Sequence, residues 1–275
     1  MHINKNFLLA LPCLATVMLL TPTAYAHDPV FGVGPHVLFK DGFEMHLGAH
    51  REKSDERETE AELELKYGIT GDWVAGIGTG YARSEGHGDT DSGRSPSTLS
   101  SKYRFWREDT FGTQESAAMF GKVILDDGDT GHDGAAERDG NDYLLGLTYG
   151  YEGRKWYRWA SVRRRFNADT AHGAERPDVW RVDLAGGIRP TPTEYHEPDW
   201  VWILELNYEH TEHLPGPGDD SRRIGGDQWF LSPGLMWTLR NFAVKTGVQL
   251  PVHDDLAGNQ DADDYRALVE LEWHL

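Results

Sequence analysis

From about residue 42 to the C terminus, hydrophobic and polar residues alternate with a period of two, in runs of about ten. Between Asp142 and Glu152, Tyr143, Leu145, Leu147, Tyr149 and Tyr151 share one face. Asp142, Gly146, Thr148, Gly150 and Glu152 share the other, and Leu144 breaks the rule. A strand places successive side chains on opposite faces and a helix does not. The same reading opposes Ala61, Leu63, Leu65 and Tyr67 to Glu60, Glu62, Glu64 and Lys66, and Trp180, Val182, Leu184 and Ile188 to Arg181, Asp183 and Arg189. It sets Trp202, Leu204, Leu206 and Tyr208 against Glu205, Asn207 and Glu209, and Phe242, Val244, Val248 and Leu250 against Lys245 and Gln249.

The alternation predicts about twelve strands, near residues 42–53, 58–69, 72–83, 97–107, 115–126, 141–152, 155–166, 178–190, 199–210, 227–239, 241–252 and 264–275. Arg163, Arg164 and Arg165 blur it in the seventh. Ile69–Asp72, Glu152–Lys155 and Leu239–Asn241 read as tight turns, whereas Ser84–Ser97, Asp127–Gly140 and His210–Asp227 read as long acidic loops. Short turns at one end and long loops at the other are the layout of an outer-membrane barrel. In a bilayer every backbone N–H and C=O must be paired, and a closed sheet does this with an apolar outside and a polar lumen. Trp73, Trp106, Trp156, Tyr157, Trp200, Trp229 and Trp237 fall near strand ends, as interfacial girdles require. The expected fold is all-β, a single antiparallel transmembrane β-barrel over residues 42–275. Its even strand number and short turns place both termini in the periplasm.

Residues 1–26 read as a signal peptide. Lys5 charges a short n-region, Phe7–Leu20 is apolar, and Ala24-Tyr25-Ala26 ends in a cleavage site before His27. Removing them takes away Lys5 and no acid, so the net charge of −18 becomes −19, and it removes Cys13, the single cysteine. The mature chain therefore has no thiol chemistry. So acidic a protein lacks the basic face that nucleic acid requires. Residues 27–41 precede the barrel as a periplasmic segment. The expected location is the outer membrane of a didermic bacterium, with outer-membrane lipid as solvent for the outer face. The terminal strand, with Ala267, Val269, Leu271, Trp273 and Leu275 on one face, looks like the signal read by the barrel-assembly machinery, although a final aromatic is usual there.

The segment His27–Lys40 (HDPVFGVGPHVLFK) and that terminal strand resemble the outer-membrane "transporter" barrels of the MetA-pathway of phenol degradation type. The resemblance implies a channel for aromatic or other small solutes and brings no catalytic residues.

An outer-membrane phospholipase has a similar strand number, but it needs a serine activated by histidine. No mature histidine here adjoins a serine, and His87, His132 and His172 lie among Gly and Asp with no nucleophile beside them. Asp127–Asp133 resembles a calcium loop but lacks the third oxygen ligand and the closing Glu. Passage of small solutes is thus the leading expectation, with selectivity set by charged inward residues. On the alternation these are Glu44, Glu60, Glu62, Glu64, Lys66, Lys102, Arg104, Arg181, Asp183, Arg189, Glu205, Glu209, Lys245, Glu270 and Glu272.

Handling of copper or another metal ion is the alternative. A processed His27 offers an α-amino group and an imidazole, and a second imidazole at His36 would complete a nitrogen set suited to Cu(II). Gly32, Gly34 and Pro35 read equally well as a bend that folds this segment into the pore. His46 and His50 share the inward face of the first strand about 13 Å apart, too far to hold one ion unaided but placed to line a cation path. A structural or adhesive barrel working through its acidic loops is the third reading.

Overall fold

The computed structural model describes residues 27–275 except 87–88, 130–138, 171–173, 194–196, 215–223 and 259. The signal segment, its cleavage site, and His87, His132 and His172 lie outside the described residues, as do residues 130–133 of the acidic Asp127 loop. Twelve antiparallel strands close into one barrel. They are β1 (Phe43–Lys53), β2 (Arg57–Thr70), β3 (Trp73–Gly86), β4 (Asp89–Thr110), β5 (Thr113–Ile124), β6 (Asp142–Gly153), β7 (Trp156–Phe166), β8 (Val179–Ile188), β9 (Asp199–Leu214), β10 (Ile224–Leu239), β11 (Phe242–Leu256) and β12 (Tyr265–His274). Each strand pairs with its sequence neighbours, and β1 pairs with β12 from Glu44↔His274 to Lys53↔Tyr265. No strand edge is left open, which satisfies the ladder without water.

The two-residue turns Gly71–Asp72, Phe111–Gly112, Arg154–Lys155 and Arg240–Asn241 gather at the end of the barrel where the chain enters β1 and leaves β12. Arg240 carries a positive φ of 53° before Asn241, as a hairpin whose turn follows the strand twist requires. At the opposite end the layout departs from the expected one. Within Ser84–Ser97, Ser84–Gly86 belongs to β3 and Asp89–Ser97 to β4, and the two strands pair in register there. These sequences are polar on both faces, and such extensions stand clear of lipid, where alternation is no longer imposed. Asp127, expected in an acidic loop, accepts from the Ser97 backbone N–H at 2.7 Å and from Arg94 at 3.2 Å. These contacts hold its carboxyl below the ordinary range although partial burial acts the other way.

The outer surface is an apolar belt. Leu47, Ile77, Leu145, Leu147, Leu184, Leu204 and Val269 project outward while Glu44, Thr148, Asp183 and Glu205 on the same strands are buried inward. At the turn end, Trp200, Trp237, Phe242 and Trp273 form a chain of ring contacts at 6.1–6.4 Å between centroids. Trp106 belongs to this girdle although its sequence parity matches inward-facing Lys102 and Arg104. A bulge between Arg104 and Trp106 turns both Phe105 and Trp106 outward. Tyr157 corrects the expected girdle: it is 8% exposed and stacks on Trp159 inside the lumen, at 5.4 Å. Arg163–Arg165 also resolve. Arg163 and Arg165 face inward to Asp183 and Asp142, while Arg164 sits outside over Trp180 and Phe166 with its head on Asp178 and Glu212.

Candidate functional site

The segment expected either as a periplasmic stretch or as a bend folded into the pore lies inside the barrel. After Phe39–Gly42 the chain is at the turn end, and residues 27–38 form a bent loop within the lumen, with Gly32, Gly34 and Pro35 in its bend. We call this loop the plug. Its two limbs meet where Lys102 Nζ donates to both Asp28 (2.9 Å) and the Gly34 carbonyl (2.8 Å). The bend is held by Glu205, 1% exposed, whose carboxylate accepts from the backbone N–H groups of Val30 (2.7 Å), Phe31 (3.1 Å) and Gly32 (2.8 Å). Thr148 Oγ1 donates to the Val33 carbonyl at 2.5 Å.

Apolar packing adds to these bonds. Val30 sits in a cluster with Tyr157, Trp159, Ala185, Val201, Ile203, Met236 and Leu268, all pointing into the lumen. Alternation places Val201, Ile203 and Met236 on the inner face, but their lumenal partner is the plug rather than water. The wall is hollowed to receive it. A Cβ at Gly150 would lie 2.8 Å from Pro35, and one at Gly234 would lie 2.7 Å from Val30. Gly150→Val is therefore expected to push Pro35 off the wall at a cost of about 1–3 kcal/mol. Faster amide exchange across residues 30–35, with the barrel ladder unchanged, is the measurement that checks it.

Two lumenal cavities lie among the described residues. The larger, about 280 Å³, lies between the plug and β2–β6, with Glu64, Lys66, Lys102, Lys122 and Leu144 among its walls. The smaller, about 210 Å³, lies beyond the bend and is bounded by His50, Glu52, Arg181, Asp183, Glu209 and Arg266. Phe31 and Arg163 line both, so they form the division between them. Glu62 lies 3.8 Å from Lys122, and Ser100 donates to Glu64 at 2.7 Å. Arg181 and Arg266 share Glu209 at 2.6 and 3.1 Å, while Asp183 accepts from Ser161, Asn207 and Arg163. Glu60 is half-buried on the same wall. Arg104 and Arg189 are engaged at the turn end, with Asp72 and Asp199 at 2.7 Å each.

Of the four histidines considered as ligands, the structure separates His50 from the rest. It lines the far cavity, because the strand carries it past the bend. His46 lies between Glu44 and Glu270, bonded to each through one ring nitrogen. His27 and His36 converge on a third ring that the sequence reading did not include, His274, with centroids at 5.8 and 6.0 Å. Its parity with Glu270 and Glu272 on the terminal strand was a readable sign of its inward direction. Around these rings stand Glu44, Glu270 and Glu272, with Lys66 3.2 Å from Glu44, and Lys245 3.2 Å from Glu270 and 3.4 Å from Glu272.

Burial pushes the His36 imidazole down to about 3, and His274 acts in the same direction, against Glu44, Asp28 and Glu272. A released plug would expose an imidazole titrating near its ordinary 6.5. Between those values the free plug binds a proton that the docked plug does not, so docking weakens as pH falls through that window. The protection of residues 30–34 against amide exchange, taken relative to the intrinsic rate at each pH, is expected to fall between about pH 6.5 and pH 4.

The architecture is shared with known barrels. An outer-membrane channel from Pseudomonas putida F1 superposes with a TM-score of 0.63 over 91% of this chain and 100% of that one, at 13% identity. The NanC porin gives 0.50 over 84% of this chain and 100% of its own, at 10% identity. The fold is that of outer-membrane channels. No protein-family model matches the chain, and no curated protein matches it in sequence.

Proposed function

We propose that the protein is an outer-membrane channel for small solutes, narrowed by its own N-terminal segment. The observation that carries this reading is the charged lumenal wall around two cavities that meet at Phe31 and Arg163. Charged side chains lining a narrow path set which ions and polar solutes enter it. The apolar outer belt with its aromatic girdle suits a bilayer, and the likeness to channel and porin folds supports an outer-membrane location. Lumenal charges of both signs favour small polar or ionic solutes over bulky ones. The finer assignment, to the phenol-degradation type of transporter, rests on the His27–Lys40 segment and the terminal strand.

In planar bilayers the protein is expected to show discrete steps of low conductance. Lys122, half-buried in the larger cavity and 3.8 Å from Glu62, is a safe place to invert a charge. Lys122→Glu should move the reversal potential in a salt gradient toward cation preference. Absence of steps from correctly folded protein would exclude the channel, and an unmoved reversal potential would exclude that cavity from the path.

A further inference from the structure

We propose that His36, Glu44 and His274 bind one divalent ion of the zinc, nickel or copper class, which fastens the plug to the seam where β1 and β12 close the barrel. One ligand atom from each of the three lies within 4.8 Å of the other two. His36 Nε2 is 4.0 Å from Glu44 Oε2, and that oxygen is 3.0 Å from His274 Nδ1. Ligand atoms about 2.0–2.1 Å from a tetrahedral ion stand about 3.3 Å from one another, so small side-chain adjustments suffice.

The polar accounting points the same way. Glu44 is 2% exposed, yet its Oε2 accepts no hydrogen bond although His274 Nδ1 is within reach, and His36 Nε2 has no partner either. Buried polar atoms left unmatched call for a missing partner such as an ion. Lys66 does not compete for this oxygen, because it lies against Oε1 of Glu44 at 3.2 Å. Around the site, Glu44, Glu270 and Glu272 stand against Lys66 and Lys245, an excess of one negative charge before any histidine is counted.

The outer shell also fits. The far nitrogen of His274 faces Glu272 Oε1 at 3.8 Å, and a carboxylate behind a ligating imidazole is the usual second partner. His27 and Glu272, 3.5 Å apart, stand on that side of the ring. Two imidazoles and one carboxylate leave the fourth position to water or solute. The donor set excludes calcium and magnesium, which take oxygen ligands.

The test is a calorimetric titration of Zn²⁺ into the purified, folded full chain near neutral pH, with Co²⁺ absorption as a second readout of nitrogen–oxygen coordination. One ion per chain is expected. Loss of outer partners alone weakens metal sites about 10–100-fold, so His36→Gln and His274→Gln should each weaken binding at least about tenfold. His50→Gln should leave it unchanged. His36 belongs to the plug and not to the sheet, so its variant keeps the strand pairing and decides the matter if His274→Gln does not fold. No stoichiometric binding, or equal binding by wild type and His36→Gln, would overturn the proposal. Conductance does not enter, so the outcome is independent of the channel reading.

Discussion

Deleting residues 28–38 is expected to raise the single-channel conductance severalfold while the barrel still assembles. The barrel survives because the plug gives nothing to the ladder. All twelve strand pairs are made between residues 43 and 274, and the plug touches the wall through side chains and the Glu205 carboxylate. The conductance rises because the two cavities, about 280 and 210 Å³, are the space the plug leaves over. Without it they merge and the division at Phe31 disappears. The deletion also exposes Tyr157, Trp159 and Met236 to lumenal water, which lowers thermal stability. Strand pairing by infrared or circular dichroism spectroscopy separates that loss from misassembly. An unchanged conductance in a properly assembled deletion protein would show that the plug does not limit the flow of ions.

The barrel was legible in the sequence because lipid imposes the strictest pattern a strand can carry. Leu145 and Leu147 have no alternative to facing outward, and Thr148 and Gly150 none to facing inward. The pattern fails where lipid no longer acts: Ser84–Gly86 and Asp89–Ser95, beyond the belt, read as loop and are paired strand. It also misled at Tyr157, an aromatic near a strand end that faces inward because the plug gives it an apolar partner. Alternation states which face a side chain takes, not what it meets there. Glu205 could be read as a lumenal charge, but its three backbone donors lie more than 170 residues away in the chain, and no local spacing encodes such a contact. His27 and His36 could be singled out from their surroundings. Their convergence on His274 depends on β12 closing against β1, a relation between the two ends of the barrel.

Glu205→Ala is expected to release the plug without unfolding the protein. The carboxylate is buried and is the hydrogen-bond acceptor for Val30, Phe31 and Gly32. Removing it leaves one buried and two partly buried N–H groups without an acceptor, and a buried group so left costs about 1–3 kcal/mol. A loss of about 1–3 kcal/mol shifts the ratio of docked to released plug by about tenfold to a hundredfold. The cost has a ceiling: once the bend leaves the wall, its N–H groups hydrate, so the loss cannot exceed the free energy of docking. The effect should therefore appear as an open channel, with little change in the melting of the barrel. Conductance should approach that of the deletion protein, and the amides of residues 30–32 should lose their exchange protection. Glu205→Gln keeps one acceptor oxygen and should fall between the two. Wild-type conductance and wild-type protection in Glu205→Ala would mean that the apolar seat around Val30, rather than the buried carboxylate, holds the plug.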